Sequence, residues 1–371
     1  MRLDSNKIDF LFRRTLRLAE GGWGDTHPNP MVGALVVEDG EVIAEGYHKR
    51  VGGPHAEVEA LQSLGRSPRS GAALFISLEP CSSHGRTPPC TQTILKSGIK
   101  QVYVACIDPN PKHSGDGISR LREAGIKVEV AGPEIRSLAE RLNFIFIHNM
   151  RTGSPLIALK IAESANGMIA ESHGRPSKVT EKEALSDVMN WRRLFPAICV
   201  GSGTILSDNP ALTVRLKEVT TCPIRLIFDS SLSTLDSSVS IRKLYKDDYL
   251  NHTYILTTEK GMKNFASVAR AKKIGINLIV MESDGDELVS LSGLRKVLQD
   301  LGLNSLYCEG GAKLGKALLA ADEINYLFRY RSPHEFNGPD ALPSPLVKNL
   351  ALRDPIEKKI GPDNLIHGFL Q

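Results

Sequence analysis

The residues best suited to chemistry fall in one stretch. It reads His55-Ala56-Glu57, then Pro80-Cys81 starting 23 residues after Glu57, then Cys90 across a gap of eight residues. One imidazole and two thiolates supply three of the four tetrahedral ligands that zinc prefers, and leave the fourth position to water. Zinc lowers the pKa of such a water and yields a nucleophile near neutral pH. Glu57 stands two residues past the histidine, near enough to move protons and not needed as a ligand. A structural zinc is the competing reading, with His84 inside the loop able to close the site. Plain burial of the two cysteines is another.

Glu57 and Pro80 weigh toward hydrolysis, because both stand where zinc-dependent base deaminases place them; that class has two residues between its cysteines, not eight. The second half carries weaker signals. Gly201-Ser202-Gly203-Thr204 and Cys308-Glu309-Gly310-Gly311-Ala312-Lys313-Leu314-Gly315-Lys316 are glycine-rich segments following strands, a geometry that lets backbone N–H groups approach a pyrophosphate. Neither matches Gly-x-Gly-x-x-Gly or a Walker A loop, and each reads equally as a tight turn, as does Asp208-Asn209-Pro210. Lys160 interrupts an apolar strand, and buried lysine is rare unless paired or functional. Together these point to a dinucleotide domain.

The elements that position these groups follow from periodicity. Residues 7–21 pattern as an amphipathic helix ending at Gly21-Gly22. Pro28-Asn29-Pro30 fixes a rigid loop and aims Asn29. Strands over 34–37 and 42–46 join through Asp39-Gly40, with His48 just beyond. Residues 55–64 form a helix carrying Glu57, and strand 73–78 delivers Pro80-Cys81. Helix 90–97 starts on Cys90, where the macrodipole favours thiolate. Strand 102–106 ends at Asp108-Pro109-Asn110-Pro111, a suitable place for polar readers of a ligand. Helix 117–124, strand 127–130 and helix 134–147 close an α/β domain over residues 1–150.

A second domain covers 151–371. Strands fall at 156–161, 197–200, 224–228, 253–256, 278–280 and 305–308, with helices near 181–194, 261–273, 288–301 and 312–320. The alternation predicts a largely parallel sheet with a crevice at the strand carboxyl ends. Residues 231–250 pattern as a surface loop, and the tail from Phe328 has no clear period.

Two domains also suit the length of 371 residues. A formal charge of +4 is too small to argue for a nucleic-acid surface. Six scattered cysteines suit a reducing cytoplasm better than a disulfide framework. The charged start lacks a signal-peptide core, and no apolar run approaches a membrane span. A cytoplasmic protein with no nucleic-acid or membrane partner is expected; a homo-oligomer is compatible with the sequence and not required by it.

The chain also resembles a known family. Thr26-His27-Pro28-Asn29-Pro30-x-Val32-Gly33, Gly46-Tyr47-His48, Pro54-His55-Ala56-Glu57, Leu78-Glu79-Pro80-Cys81, His84-Gly85-Arg86-Thr87-Pro88-Pro89-Cys90 and Asp108-Pro109-Asn110-Pro111 are similar to the bifunctional deaminase–reductases of riboflavin biosynthesis. The long loop between the cysteines is distinctive of that family. The resemblance covers nearly the whole chain and is most specific over residues 1–150. It implies an α/β protein with an N-terminal cytidine-deaminase-like three-layer domain and a C-terminal dihydrofolate-reductase-like domain. The first would hydrolyse an amino group of a diaminopyrimidinone ribosylamino phosphate, with one zinc on His55, Cys81 and Cys90 and with Glu57 moving protons. Asn29, His48, His84, Arg86, Asp108 and Asn110 would line its pocket.

The resemblance further implies that the second domain reduces the ribosyl group to ribityl with NADPH. Lys160, Ala162, Thr204, Asp208, Ser230, Gly311, Ala312, Lys313, Leu314, Gly315, Lys316 and Ala317 would face the cofactor. Arg192, Leu212, Arg215 and Glu309 would face the substrate, the arginines holding its phosphate. Some positions depart from the family. Asn166 replaces an aspartate, Pro176 a serine, Lys178 a tryptophan and Asp116 a base, and residues 329–338 lack the usual Pro-x-x-x-Gly strand end. These departures motivate a second reading, a deaminase with a degenerate reductase domain. A third is a zinc-stabilised nucleotide-binding regulatory protein, against which Glu57 argues.

Overall fold

A computed structural model describes residues 3–83, 88–111, 114–172, 177–217, 219–346 and 350–371. The chain forms two compact units, Met1–Ser154 and Pro155–Gln371.

The first unit holds helices α1 (Ser5–Ala19), α2 (Ala56–Ser63), α3 (Cys90–Ser97), α4 (Asp116–Glu123), α5 (Pro133–Leu142) and α6 (Phe144–Thr152). Its strands are β1 (Gly33–Glu38), β2 (Glu41–Tyr47), β3 (Ala73–Ile76), β4 (Gln101–Val104) and β5 (Lys127–Val130), ordered β2-β1-β3-β4-β5. β1 pairs antiparallel with both β2 and β3, and β3, β4 and β5 are parallel. β1 is buried along its whole length because both faces are covered. Ala34 and Val36 enter the core shared with Ala60 of α2, Ile94 of α3 and Leu121 of α4. Leu35 and Val37 enter the opposite core, with Leu11 and Phe12 of α1 and Ile135 of α5. Strand alternation thus builds three layers from one central sheet. Asp39 (φ 50°) and Gly40 (φ 84°) both adopt positive φ, as a two-residue hairpin turn requires.

The second unit runs β6 (Leu156–Glu163), β7 (Met168–Ala170), α7 (Lys182–Leu194), β8 (Ala197–Gly201), α8 (Ser202–Asp208), β9 (Val214–Leu216), β10 (Val219–Thr221), β11 (Ile224–Phe228), β12 (Thr253–Thr258), α9 (Glu259–Met262), α10 (Phe265–Ile274), β13 (Asn277–Met281), α11 (Leu294–Asp300), β14 (Ser305–Cys308), α12 (Ala312–Ala320), β15 (Tyr326–Arg331), β16 (Leu342–Pro343), β17 (Leu352–Ile360) and β18 (Asp363–Leu370). Nine strands form one sheet, ordered β13-β12-β11-β8-β14-β6-β15-β18-β17. It is parallel from β13 to β15, and β18 and β17 extend it antiparallel. β14 lies between β6 and β8, so the carboxyl ends of these three strands share one edge.

Five expectations need correction, the first being the helix read near 261–273, which is two helices, α9 and α10, with Asn264 capping the second. The helix read over 134–147 is two helices, broken at Asn143. The Asn143 amide accepts from the Met31 N–H (2.8 Å) and donates to the Met31 carbonyl (2.9 Å), so a tertiary clamp interrupts the helix. Residues 231–250 are no surface loop: Leu232, Leu235, Leu244 and Tyr245 are buried. The segment wraps Arg225, itself fully buried, whose guanidinium donates to both carboxylate oxygens of Asp247 (2.7 and 2.9 Å) and to the carbonyls of Leu244 and Tyr249. The helix read over 288–301 starts only at Leu294, after a short 3-10 turn. The unread tail forms β15, β17 and β18, and on β17 the outward charges hide any strand alternation.

Candidate active sites

In the first unit, three elements bring the proposed zinc ligands together. His55 is the residue before α2, Cys81 follows β3, and Cys90 opens α3. Their ligand atoms lie within 4.8 Å of one another. His55 Nδ1 is 3.1 Å from Cys90 Sγ and 3.6 Å from Cys81 Sγ, and the Cys90 N–H points at Cys81 Sγ from 3.2 Å. Contact with Cys90, and next with His55, brings the Cys81 thiol down to about 4, which favours the thiolate that zinc takes. Two thiols and an imidazole facing one point fit a tetrahedral zinc, which His55 would hold through Nδ1. Gly46 brings α2 close, since a Cβ there would lie 2.3 Å from the Ala60 nitrogen.

Glu57 is 3% exposed in the first turn of α2 and lines a cleft of about 170 Å³ together with His55 and Cys81. Burial, and next the Cys81 thiolate, push its carboxyl up to about 7; a dication would oppose the second cause. Asn29, His48 and Asp108 line the same cleft. The His48 ring donates from Nδ1 to the Pro54 carbonyl (2.9 Å), which leaves Nε2 to accept from the Asn29 amide (3.2 Å). Desolvation lowers the His48 pKa, so the ring stays neutral. The Asn110 N–H donates to Asp108 Oδ1 at 2.9 Å, and Asn110 itself is not part of the cleft wall. His84 and Arg86 lie outside the described residues.

Two groups given no role from sequence also build this cleft. Asn143 clamps Met31 and so holds the loop that carries Asn29. Glu79 is buried, lines the cleft, and accepts three backbone N–H groups. A carboxylate directly before Pro80-Cys81, preceded by an apolar strand, was the available signal.

In the second unit a cavity of about 350 Å³ opens at the carboxyl ends of β6, β8 and β14. Lys160, Ala162, Thr204, Asp208, Glu309 and Gly311 all line it. The two glycine-rich segments therefore meet: Gly311 precedes α12, and a Cβ there would sit 3.4 Å from Thr204 Oγ1. Bare backbone at a helix start beside a lysine suits a pyrophosphate, so the residues present fit a dinucleotide. Ala312, Lys313, Leu314, Gly315, Lys316 and Ala317 are the first turns of α12 and not a turn before it; Leu314 packs on the core and Gly315 is buried. Ser230 lies past β11, outside this cavity wall. Its hydroxyl accepts from the Val289 N–H, and its carbonyl accepts from the hydroxyls of Thr257 and Thr258.

Arg192 sits behind the cavity. Its Nε and Nη2 donate to the two Glu309 oxygens, both at 2.9 Å, and Nη1 donates to the Thr213 carbonyl at 2.6 Å. Arg192 therefore orients Glu309 and β9. Arg215 is exposed and donates to Thr213 Oγ1 at 3.0 Å, while Leu212, with φ 55°, is buried. Burial alone would raise the Glu309 carboxyl, but Arg192 and Lys160 outweigh it and hold it below its usual value. Burial lowers Lys160, with Glu309 opposing.

The departures have local reasons. Asn166 accepts from the Phe336 N–H (3.2 Å) and donates to the Phe336 carbonyl (2.9 Å). A carboxylate cannot donate, so Asn166 matches the unusual tail against which it closes. Lys178 lines the cavity with its ammonium on Glu181 at 2.6 Å. Asp116 opens α4 after Gly115, whose φ is 83°. Pro176 lies outside the described residues.

Hydrolysis at a zinc and hydride transfer from a dinucleotide are the two chemistries these units are equipped for, which defines a two-headed deaminase–reductase. Comparison with known proteins narrows the class. Residues 155–352 match the RibD C-terminal domain, and residues 5–106 match the cytidine and deoxycytidylate deaminase zinc-binding region. The chain is 36% identical to the riboflavin biosynthesis protein RibD of Bacillus amyloliquefaciens, over 86% of this chain and 84% of that one. It is 35% identical to RibD of Escherichia coli, over 97% and 98%. Among solved structures, Acinetobacter baumannii RibD superposes with a TM-score of 0.81 over 99% of this chain and 100% of that one, at 27% identity. A Thermotoga maritima diaminohydroxyphosphoribosylaminopyrimidine deaminase/5-amino-6-(5-phosphoribosylamino)uracil reductase superposes with a TM-score of 0.79 over 98% of each chain, at 32% identity. The chain belongs to the RibD family of bifunctional riboflavin-biosynthesis enzymes, zinc-dependent in its deaminase half and NADPH-dependent in its reductase half. The degenerate-reductase and regulatory readings are not favoured. No helix among the described residues is long and apolar enough to cross a membrane.

Proposed function

We propose that the unit Met1–Ser154 deaminates a diaminopyrimidinone ribosylamino phosphate, and that the unit Pro155–Gln371 reduces the ribosyl chain of the product to ribityl. The observation that carries the first half is Glu57, buried beside three converged zinc ligands on the wall of a polar-edged cleft. Zinc, when bound, acidifies a water and supplies the nucleophile. Glu57, on the wall of the same cleft, would carry a proton through its carboxylate oxygens to the departing nitrogen. Neutral His48 holds the Asn29 amide in place. Asn29 and Asp108 present amide and carboxylate groups to the N–H edge of the ring, and Arg86 suits the phosphate.

In the second unit NADPH supplies the hydride and the protein supplies orientation. The start of α12 and Lys178 take the cofactor phosphates. Lys160 and Glu309 line the same cavity and would stand beside the sugar carbon that accepts the hydride. Arg215, exposed near Thr213, takes the substrate phosphate. All six cysteines are free, which supports a cytoplasmic location.

The test is a coupled assay on zinc-loaded protein, given the diaminopyrimidinone ribosyl phosphate with and without NADPH. Ammonia in both cases, with NADPH consumed only after deamination, is the expected result. Ammonia without NADPH consumption would remove the second assignment, and no ammonia would remove the first.

A further inference from the structure

We propose that Glu79 is a positioning residue of the deaminase cleft, which holds Asp108 in register with the metal loop by capping α4 from outside its own helix. Four observations converge on it. Glu79 is 6% exposed, two residues before the Cys81 ligand. Its Oε2 accepts from the N–H groups of Asp108 (3.0 Å) and Gly115 (3.0 Å), and its Oε1 accepts from the Ile118 N–H (3.2 Å). Gly115 and Ile118 are the N-cap and third residues of α4, the donors that a local capping side chain would satisfy. Gly115 has no side chain to offer, and Glu79 takes over both bonds from the neighbouring strand end.

The contact is built to be close. A Cβ on Gly117 would lie 2.1 Å from the Pro80 carbonyl and 3.3 Å from Glu79 Oε1, so only glycine lets the start of α4 press against Pro80. On the other side of Cys81, Arg120 Nη1 donates to the Ser82 carbonyl at 2.8 Å. The segment that supplies Cys81 is therefore bolted to α4 at Glu79, Pro80 and Ser82. Asp108 hangs on the same carboxylate through its own N–H. Three charge-assisted bonds on one carboxylate make a stiff joint. Its mechanical consequence is a fixed distance between a ligand-reading side chain and the metal.

This inference rests on the assignment of Asp108 to substrate, and the experiment separates the two. Steady-state ammonia release is measured for Glu79→Gln, Asp108→Ala and the double variant. Zinc content and NADPH oxidation on the deaminated intermediate, measured on the same chains, serve as controls. Gln keeps the shape of Glu79, but it loses the charge and turns an NH₂ toward a backbone N–H. The expected result is a KM raised on the order of tenfold with kcat little changed, zinc retained and the reductase rate intact. The double variant should be no worse than Asp108→Ala alone, because Glu79 acts through Asp108.

A KM unchanged in Glu79→Gln, or effects that add in the double variant, overturns the proposal. An Asp108→Ala enzyme with normal KM overturns the substrate assignment instead. If Glu79→Gln loses zinc, Gly117→Ala tests the same joint with every carboxylate in place: a raised KM with zinc retained supports it, and a normal KM overturns it.

Discussion

Glu309→Gln should weaken the second unit far more than an equivalent change on its surface. Arg192 and Glu309 have side chains only 7% and 11% exposed and meet through two bonds of 2.9 Å. Gln can accept one of those bonds, and its amide NH₂ then faces the other guanidinium N–H. A buried cation is left under-compensated, and breaking such pairs costs about 3–5 kcal/mol. Because Thr213 still accepts from Nη1, we expect the lower end, about 3 kcal/mol, a sizeable part of the roughly 5–15 kcal/mol typical of a folded domain. The pair Lys296–Asp300, 72% and 59% exposed, is the control, and Asp300→Asn should leave stability unchanged within error. The chain has two tryptophans. In a Trp23→Phe background, Trp191, packed 4.7 Å from the Phe328 ring, reports unfolding of the second unit in urea. A cycle with Arg192→Met isolates the coupling. Equal small shifts for Glu309→Gln and Asp300→Asn would refute the reasoning. The pH dependence adds a sign. A carboxyl held below its usual 4.5 contributes stability that is fully present above that pH and lost as pH falls through the folded value, so Glu309→Gln should flatten the acid limb of the stability curve.

Glu57→Gln should retain zinc by elemental analysis and lose roughly 10²–10⁴-fold in ammonia release, since it removes a proton carrier and no ligand. Gly46→Ala places a methyl 2.3 Å from the Ala60 nitrogen. It should lift α2, destabilise the first unit by about 1–3 kcal/mol in thermal unfolding, and weaken zinc retention through His55. Asn166→Asp restores the residue usual in the family, yet should lower stability by roughly 0.5–1 kcal/mol, because the Phe336 carbonyl loses its donor and meets a carboxylate. A more stable or more active Asn166→Asp enzyme would show that Asn166 is a defect and not a match to the tail.

The metal site was legible because its chemistry is local. His55, Glu57, Pro80, Cys81 and Cys90 announce a zinc hydrolase by residue type and spacing, and each stands at an element end that periodicity marks. The alternating elements likewise announced two α/β units. Long-range pairings were not legible. The Asn143 clamp on Met31 breaks a helix that the local pattern continues, over 112 residues of separation. Arg225 gathers a polar segment that composition alone assigns to the surface. β17 carries Glu357, Lys358 and Lys359 in succession, and only its pairing with β18 makes it a strand.

What the sequence determined by itself is therefore the chemistry: which atoms can bind zinc, which carboxylate can move a proton, and which glycines leave backbone bare for a phosphate. These depend on side-chain identity and on neighbours within a turn. What only the tertiary structure decided is which distant groups share a charge or a donor. It spends Arg192 on Glu309, sets the Gly311 turn beside Thr204, and makes Glu79 the cap of a helix that starts 37 residues further on. Hydrogen bonds and burial act through space, and the order of strands in the sheets, which no local pattern encodes, sets which residues meet there.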